Sequence, residues 1–281
     1  MISRPVNSGQ TLTFGTRGSV LALVQTELAM ERFRSAFPEW SVEARAIKTE
    51  GDLDKRSPLT EIGGRGVFTS ALEAAVLAGE VDAAVHSAKD LPTALHPEAP
   101  IVAFPERADP RDVLVSRHGV TLDRLPRNPV VGTSSRRRTV QIVRLRPDAR
   151  IVDLRGNIDT RLRKAAGDGF DAIVLAAAGL RRMGWHGRAT QYFTVDELTP
   201  SPAQGALAVQ ARRGGEAAAM LGRIDDPAIS RPVGVERAFL AAIGPGCSFP
   251  VGAYVAESHD GLRLTAMLAD EAGARIVYTD E

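Results

Sequence analysis

Short apolar runs of strand length alternate along the chain with stretches whose apolar residues recur every three or four positions. Leu12 to Thr16 reads as a strand, and Ser19 to Phe37 sets Leu21, Val24 and Leu28 on one helical stripe with Ser19 as N-cap. Ser41 to Lys48 alternates as a strand does. Glu50 to Gly66 contains Gly51, Pro58 and the Gly63-Gly64 pair, which predicts an exposed and mobile loop. Thr69 to Ala78 predicts a helix stopped by Gly79, and Ala83 to Ser87 a short buried strand. A second series begins near Asp112, with strands expected at Val130 to Gly132, Ile151 to Leu154 and Ala172 to Ala176, and helices at Ser135 to Leu145 and Ile158 to Ala166. This alternation implies an α/β fold whose helices cover a mostly parallel sheet.

The proline-bounded polar segment Phe104 to Pro110 reads as a hinge, and Pro200, Pro202 and Gly205 punctuate a return crossing. After Asp226-Pro227 follow a helix at Val235 to Ala242, a glycine- and proline-rich turn around Cys247, and alternating strands at Ala253 to Val255, Leu262 to Leu268 and Arg275 to Thr279. With 281 residues, 44% of them hydrophobic and 25% charged, the chain has room for two or three domains with buried cores. No apolar run approaches the roughly 20 residues of a membrane span, and the polar start, Met1 to Gln10, lacks the pattern of a signal peptide. A cytoplasmic protein without a membrane partner is expected. The single cysteine, Cys247, allows no internal disulfide and no cysteine-cluster metal site, and the five histidines show no ligand spacing, so no metal is expected.

A formal net charge of +1 gives no argument for a nucleic-acid partner, but its distribution is uneven. Between Arg136 and Lys164 lie ten basic residues against three acidic ones. Two segments, Gly15-Thr16-Arg17-Gly18-Ser19 and Gly132 to Arg138, stand where a strand turns into a helix, so free backbone amides, hydroxyls and the positive end of the helix dipole meet there. Arginine forks make such turns suited to carboxylate or phosphate. Each turn alone reads more readily as an ordinary turn with a solvated arginine face. Together with Arg155, Arg161 and Arg182 they point to a polyanionic ligand; no aromatic residues interleave with them, which disfavours base stacking. His86-Ser87-Ala88-Lys89-Asp90 follows a buried strand, and ligands of open α/β sheets bind at the carboxyl ends of strands. Lys89 and Asp90 either pair with each other or act: Asp90 as acid, base or counter-charge to a cation. Cys247 is either a small buried hydrophobe or, in Ile243-Gly244-Pro245-Gly246-Cys247, a thiol exposed by its glycine-rich turn.

These residues carry a resemblance over almost the whole chain. Thr16 to Ser19, Gly64 to Phe68, Ala84 to Pro92, Glu106 to Asp112, Gly132 to Arg138, Leu154 to Asn157, Ala203 to Leu207 and Gly246-Cys247 resemble, in the same order, the successive motifs of the hydroxymethylbilane synthase (porphobilinogen deaminase) family. Two departures are visible: Arg136 adds a third arginine to a motif that usually has two, and Glu50-Gly51-Asp52 is acidic where some relatives have arginine. The resemblance implies a monomeric transferase of heme biosynthesis that condenses four porphobilinogen molecules into linear hydroxymethylbilane, with loss of ammonia, on a dipyrromethane attached to Cys247. The runner-up is a two-lobed, non-catalytic binding protein for a small polycarboxylate.

The implied site follows residue by residue. Asp90 matches the family's catalytic aspartate, facing the cations formed when ammonia leaves and when a ring attacks, and Lys89 is assigned a catalytic role beside it. Cofactor contacts fall to Cys247, Ser19, Lys89, Asp90, Ser135, Arg137, Arg138, Arg155 and Gly156. Substrate contacts fall to Arg17, Ser19, Phe68, Arg155, Arg161, Arg182 and Gln204, although Phe68 reads equally well as a core residue. The implied architecture is two periplasmic-binding-protein-like α/β domains, 1–105 with 200–224 and 106–199, plus a small α+β domain with an antiparallel sheet, 225–281. The family normally continues with an amphipathic helix on that last sheet, and its absence before Glu281 leads to the expectation of a truncated or unusually small third domain.

Overall fold

The structure, a computed structural model, describes residues 11–48, 69–244, 249–259, 261–270, 273 and 275–280. The expected Glu50 to Gly66 loop, Phe68 and Cys247 lie outside the described residues. The chain forms two compact units, Met1–Arg107 with Ala206–Ser230 and Ala108–Gly205 with Arg231–Glu281. Among the described residues no helix is long and apolar enough to cross a membrane.

In the first unit, β1 (Thr11–Arg17) leads into α1 (Val20–Ala36), followed by β2 (Ser41–Ile47), α2 (Ser70–Ala78), β3 (Ala83–Ser87) and β4 (Ile101–Ala103). The chain returns much later with β10 (Leu207–Ala211) and α6 (Glu216–Leu221). The sheet order is β2-β1-β3-β10-β4. β1 is parallel to β2 and β3, whereas β10 is antiparallel to both β3 and β4. Four of the five strands thus share one direction, and the reading of a mostly parallel sheet holds except for the inserted β10. Leu12, Phe14, Val85 and Val209 pack under α1 with Ala29, Met30 and Phe33. Ala84 faces the other side, where Leu72, Ala75 and Val76 of α2 cover it.

The stripe expected on α1 is only half-buried. Its deepest positions are Gln25, Thr26, Ala29, Met30 and Phe33. Hydropathy alone misplaces this face because two of its residues are polar and internally satisfied: Gln25 Nε2 donates to Ser87 Oγ at 2.7 Å, and Thr26 Oγ1 to Ala22 O at 2.9 Å.

The second unit repeats the plan. β5 (Asp112–Ser116), β6 (Val130–Gly132), α3 (Arg136–Leu145), β7 (Arg150–Val152), α4 (Ile158–Ala165), β8 (Ala172–Ala176), α5 (Ala177–Arg182) and β9 (Gln191–Tyr192) build a sheet of order β7-β6-β8-β5-β9. Again three neighbours are parallel and the fourth, β5, runs against them. β7 ends at Val152, two residues short of its expected end; Leu154 N is taken instead by Ser134 Oγ. α7 (Pro227–Ile243) begins eight residues before the expected Val235, because Asp226 Oδ1 accepts from Ala228 N and Pro232 sits inside the helix instead of breaking it. A three-stranded antiparallel meander, β11 (Val251–Ser258), β12 (Gly261–Ala269) and β13 (Ile276–Asp280), completes the unit. Buried Glu236 of α7 ties it down, accepting from Ala203 N at 2.6 Å and Val255 N at 2.9 Å.

Candidate active site

In the first unit β1 and β3 are parallel neighbours, with Phe14 paired to Ala83, so the segments leaving them emerge at one edge of the sheet. β1 delivers Arg17. Ser19 then caps α1, its Oγ accepting from Ala22 N at 3.3 Å. β3 delivers Ser87 and passes into a 3-10 turn, Ala88–Asp90, that carries Lys89 half-buried and Asp90 exposed. Arg17, Ser19, Gln25, His86, Ser87 and Asp90 line one pocket of about 90 Å³. Three expected site residues, Arg17, Ser19 and Asp90, therefore share a site. Gln25, Thr69, His86 and Ser87 join them there without having been assigned a role. Burial pushes the His86 imidazole down to about 4, with Arg17 acting in the same direction and Gln210 against it.

In the second unit β6 and β7 are likewise parallel, and their outgoing loops are fastened together: Ser134 Oγ donates to Leu154 O at 2.6 Å and accepts from Leu154 N at 3.2 Å. Ser135 caps α3, its Oγ accepting from Arg138 N at 3.4 Å. Arg155 Nε stands 3.3 Å from Asp153 Oδ2. Gly156 has φ +114°, and a Cβ there would meet Thr160 at 2.8 Å, so the tight turn into α4 requires glycine. Its carbonyl accepts from Arg161 Nε at 2.7 Å.

Arg137 and Arg138 are turned inward. Each is 6% exposed, and both close on fully buried Asp112: Arg137 Nη2 lies 2.8 Å from Oδ2, and Arg138 donates through Nε and Nη2 to Oδ1 at 3.1 and 2.7 Å. Their remaining nitrogens reach Thr199 O at 2.7 Å and Val174 O at 3.0 Å. Gln204 Nε2 joins the cluster at Asp112 Oδ1, 2.9 Å, and Pro110 O, 2.7 Å, while Arg182 Nη2 donates to Gly205 O at 2.6 Å. Burial pushes the Asp112 carboxyl up, but Arg137 and Arg138 outweigh it and hold the group well below the ordinary carboxylate range. Burial, with Arg138, lowers Arg137 in spite of Asp112. Two cations against one anion leave this buried cluster with an excess positive charge beneath the Ser135 turn. Sequence reading gave Asp112 no role, although a lone carboxylate opening an otherwise apolar strand is a signal that it needs a cationic partner.

Comparison with known proteins places the chain in a family. The family model "Porphobilinogen deaminase, dipyromethane cofactor binding domain" matches residues 12–220, and "Porphobilinogen deaminase, C-terminal domain" matches 231–280. A porphobilinogen deaminase of Roseiflexus sp. (strain RS-1) is 47% identical over 95% of this chain and 88% of its own length. That of Roseiflexus castenholzii is 48% identical over 92% and 86%. In backbone the chain is also similar, at a TM-score of 0.41 and 10% identity, to an arginine-specific periplasmic binding protein of Salmonella typhimurium, over 82% of this chain and 94% of that one. On the two family models and the close relatives, the chain belongs to the porphobilinogen deaminase family.

Proposed function

We propose that the chain is a hydroxymethylbilane synthase, a cytoplasmic, monomeric transferase that joins four porphobilinogen molecules head to tail into hydroxymethylbilane and expels ammonia at each joining. The observation that carries this reading is the first unit's pocket, where an exposed carboxylate, Asp90, shares a small cavity with Arg17 and the capped turn at Ser19. A substrate with acetate and propionate arms and a ring that passes through cationic states needs both kinds of group. The near-neutral net charge supports a small-molecule partner over nucleic acid.

The donor set also fits a dipyrromethane, which carries several carboxylates: the capped turns at Ser19 and Ser135 and the arginines near them suit anions. When bound, it supplies the pyrrole carbon to which the first substrate ring is joined. Cys247, the chain's single cysteine, is the proposed point of attachment. Ser19, Ser135, Arg155 and the Gly156 turn orient its carboxylates. Arg137 and Arg138 act through the excess charge of the Asp112 cluster, not through free forks. Arg17, Arg161, Arg182, Gln204 and Phe68 are assigned to substrate. Asp90 sets a negative charge against the ring cations and takes up, at its carboxylate, the α-proton lost as the attacking pyrrole ring regains aromaticity. Lys89 accompanies it and meets the carboxylate arms.

Intact-mass measurement under denaturing, reducing conditions tests the proposal on protein made in cells that supply porphobilinogen. Wild type should exceed its sequence mass by two linked pyrrole units, and Cys247→Ala should lose both that excess and porphobilinogen consumption. Asp90→Asn should keep the excess and lose most turnover. A wild-type protein of bare sequence mass that still makes hydroxymethylbilane would overturn it.

A further inference from the structure

Beneath the pocket of the first unit lies a set of polar groups that the reaction as described leaves idle. His86 is 5% exposed, and its Nε2 is buried with no hydrogen-bond partner. Gln210 of β10 is fully buried, and its Oε1 has none either. Among the described residues of this unit they are the only buried side-chain polar atoms in that condition. Leaving a buried polar group unanswered costs about 1–3 kcal/mol, so the pair calls for an explanation.

Register supplies one. His86 pairs with Ala208 and Gln210 with Ala84, so His86 and Gln210 project from the same face of adjacent strands, one pleat apart. Gln210 Nε2 donates to Glu73 Oε2 at 3.1 Å and to Ala99 O at 2.8 Å. Both partners are acceptors, which fixes the amide's orientation and leaves Oε1 as the free end. A carbonyl oxygen only accepts. The imidazole answers it only with a hydrogen on Nε2.

We propose that His86 is a positioning residue of the reaction, held by Gln210 and Glu73 as the neutral Nε2–H tautomer behind the pocket, so that no further positive charge joins Arg17 against the ring cations formed at Asp90. Of the charged groups, Arg17 from β1 and Asp90 from the turn after β3 line the pocket with His86, and Glu73 from α2 accepts from Gln210. β10 and α1 bring uncharged Gln210 and Gln25. An amide between His86 and Glu73 is therefore the device: it orients the ring without donating the carboxylate's charge, which would raise the ring's proton affinity. Burial and Arg17 keep the imidazole unprotonated at neutral pH.

This inference rests on the proposed condensation for its catalytic half and stands apart from it for the tautomer. The test is Gln210→Glu, which sets a carboxylate where the amide was. In wild type the His86 ring resonances, followed by NMR without substrate, should stay flat from pH 5.5 to 8 with the shifts of the Nε2–H form. In Gln210→Glu they should titrate above about 6.5, and kcat should fall with the protonated fraction, by about tenfold one pH unit below that midpoint, while KM changes little. His86→Gln, which keeps a neutral donor, should stay within about fivefold of wild type with an unaltered pH profile; His86→Phe should lose at least tenfold more. Titration of wild-type His86 in this range, or Gln210→Glu that charges the ring and leaves the kcat profile unchanged, overturns the proposal. Should Gln210→Glu fail to fold, equal kcat in His86→Gln and His86→Phe overturns it instead. Absence of condensing activity in wild type would sink the proposed function, and the substrate-free titration would still decide the tautomer.

Discussion

A carboxylate with no exposed surface is tolerated only when its charge is answered at contact distance, and Asp112 is answered three times, by Arg137, Arg138 and Gln204. Removing it strands two buried guanidiniums. Asp112→Ala should destabilise the protein by about 3–5 kcal/mol in chemical denaturation, far more than loss of any exposed pair such as Arg34–Glu27. The pH dependence of stability should show two acid-side losses. His86 has a folded value near 4 against 6.5 when unfolded, so the unfolded chain takes up the proton first and stability falls between those limits. That loss is about 3 kcal/mol, and His86→Gln should remove it. Asp112, held low in the fold, contributes stability that is present above about 3.8 and is lost below it. Denaturation midpoints measured from pH 7.5 to 3 separate the two. Of these residues, Asp90, Arg17 and Ser19 were legible in sequence because strand ends and helix starts announce themselves. The inward turn of Arg137 and Arg138 was not, since it depends on a partner some 25 positions away.

At the scale of elements, local period carried the reading wherever an element has one solvated face. α1, α2, α3 and β1 lie within a residue or so of their expected bounds, as does β3, which is buried almost throughout and was read from its short apolar run. β10 was not foreseen: Leu-Ala-Val-Gln-Ala is buried along its whole length, so it shows no alternation, and its central placement comes from pairing partners far away in sequence. α5 follows β8 without an intervening turn residue, so one apolar run hides two elements. Gly205, just before β10, shows how tightly that approach is built. Its φ is +89°, and a Cβ would lie 2.3 Å from Ala108 O, whose own residue donates its N–H to Gly205 O at 3.1 Å. Gly205→Ala should therefore cost about 1–3 kcal/mol, read as a lowered Tm, whereas the same change at open Gly169 should cost little.

For the whole molecule, the two five-stranded sheets have one plan but different bookkeeping of chain. The second unit draws all five strands from Asp112–Tyr192, an uninterrupted stretch. The first draws four from Thr11–Ala103 and receives its second-to-last strand, β10, only at Leu207–Ala211, wedged between β3 and β4. Polypeptide leaves the ribosome from its amino end at about 5–20 residues per second. The amino-terminal sheet must then wait, with the facing edges of β3 and β4 unpaired, while roughly a hundred further residues are made. Nascent chains arrested short of Leu207 should remain open to protease in the amino-terminal sheet while Asp112–Tyr192 is already resistant, and lengthening the chain past Ala211 should close the difference. Of the two five-stranded sheets, the one translated first is thus finished last, and the Asp90 pocket is assembled only after the sheet beside the arginine cluster has emerged.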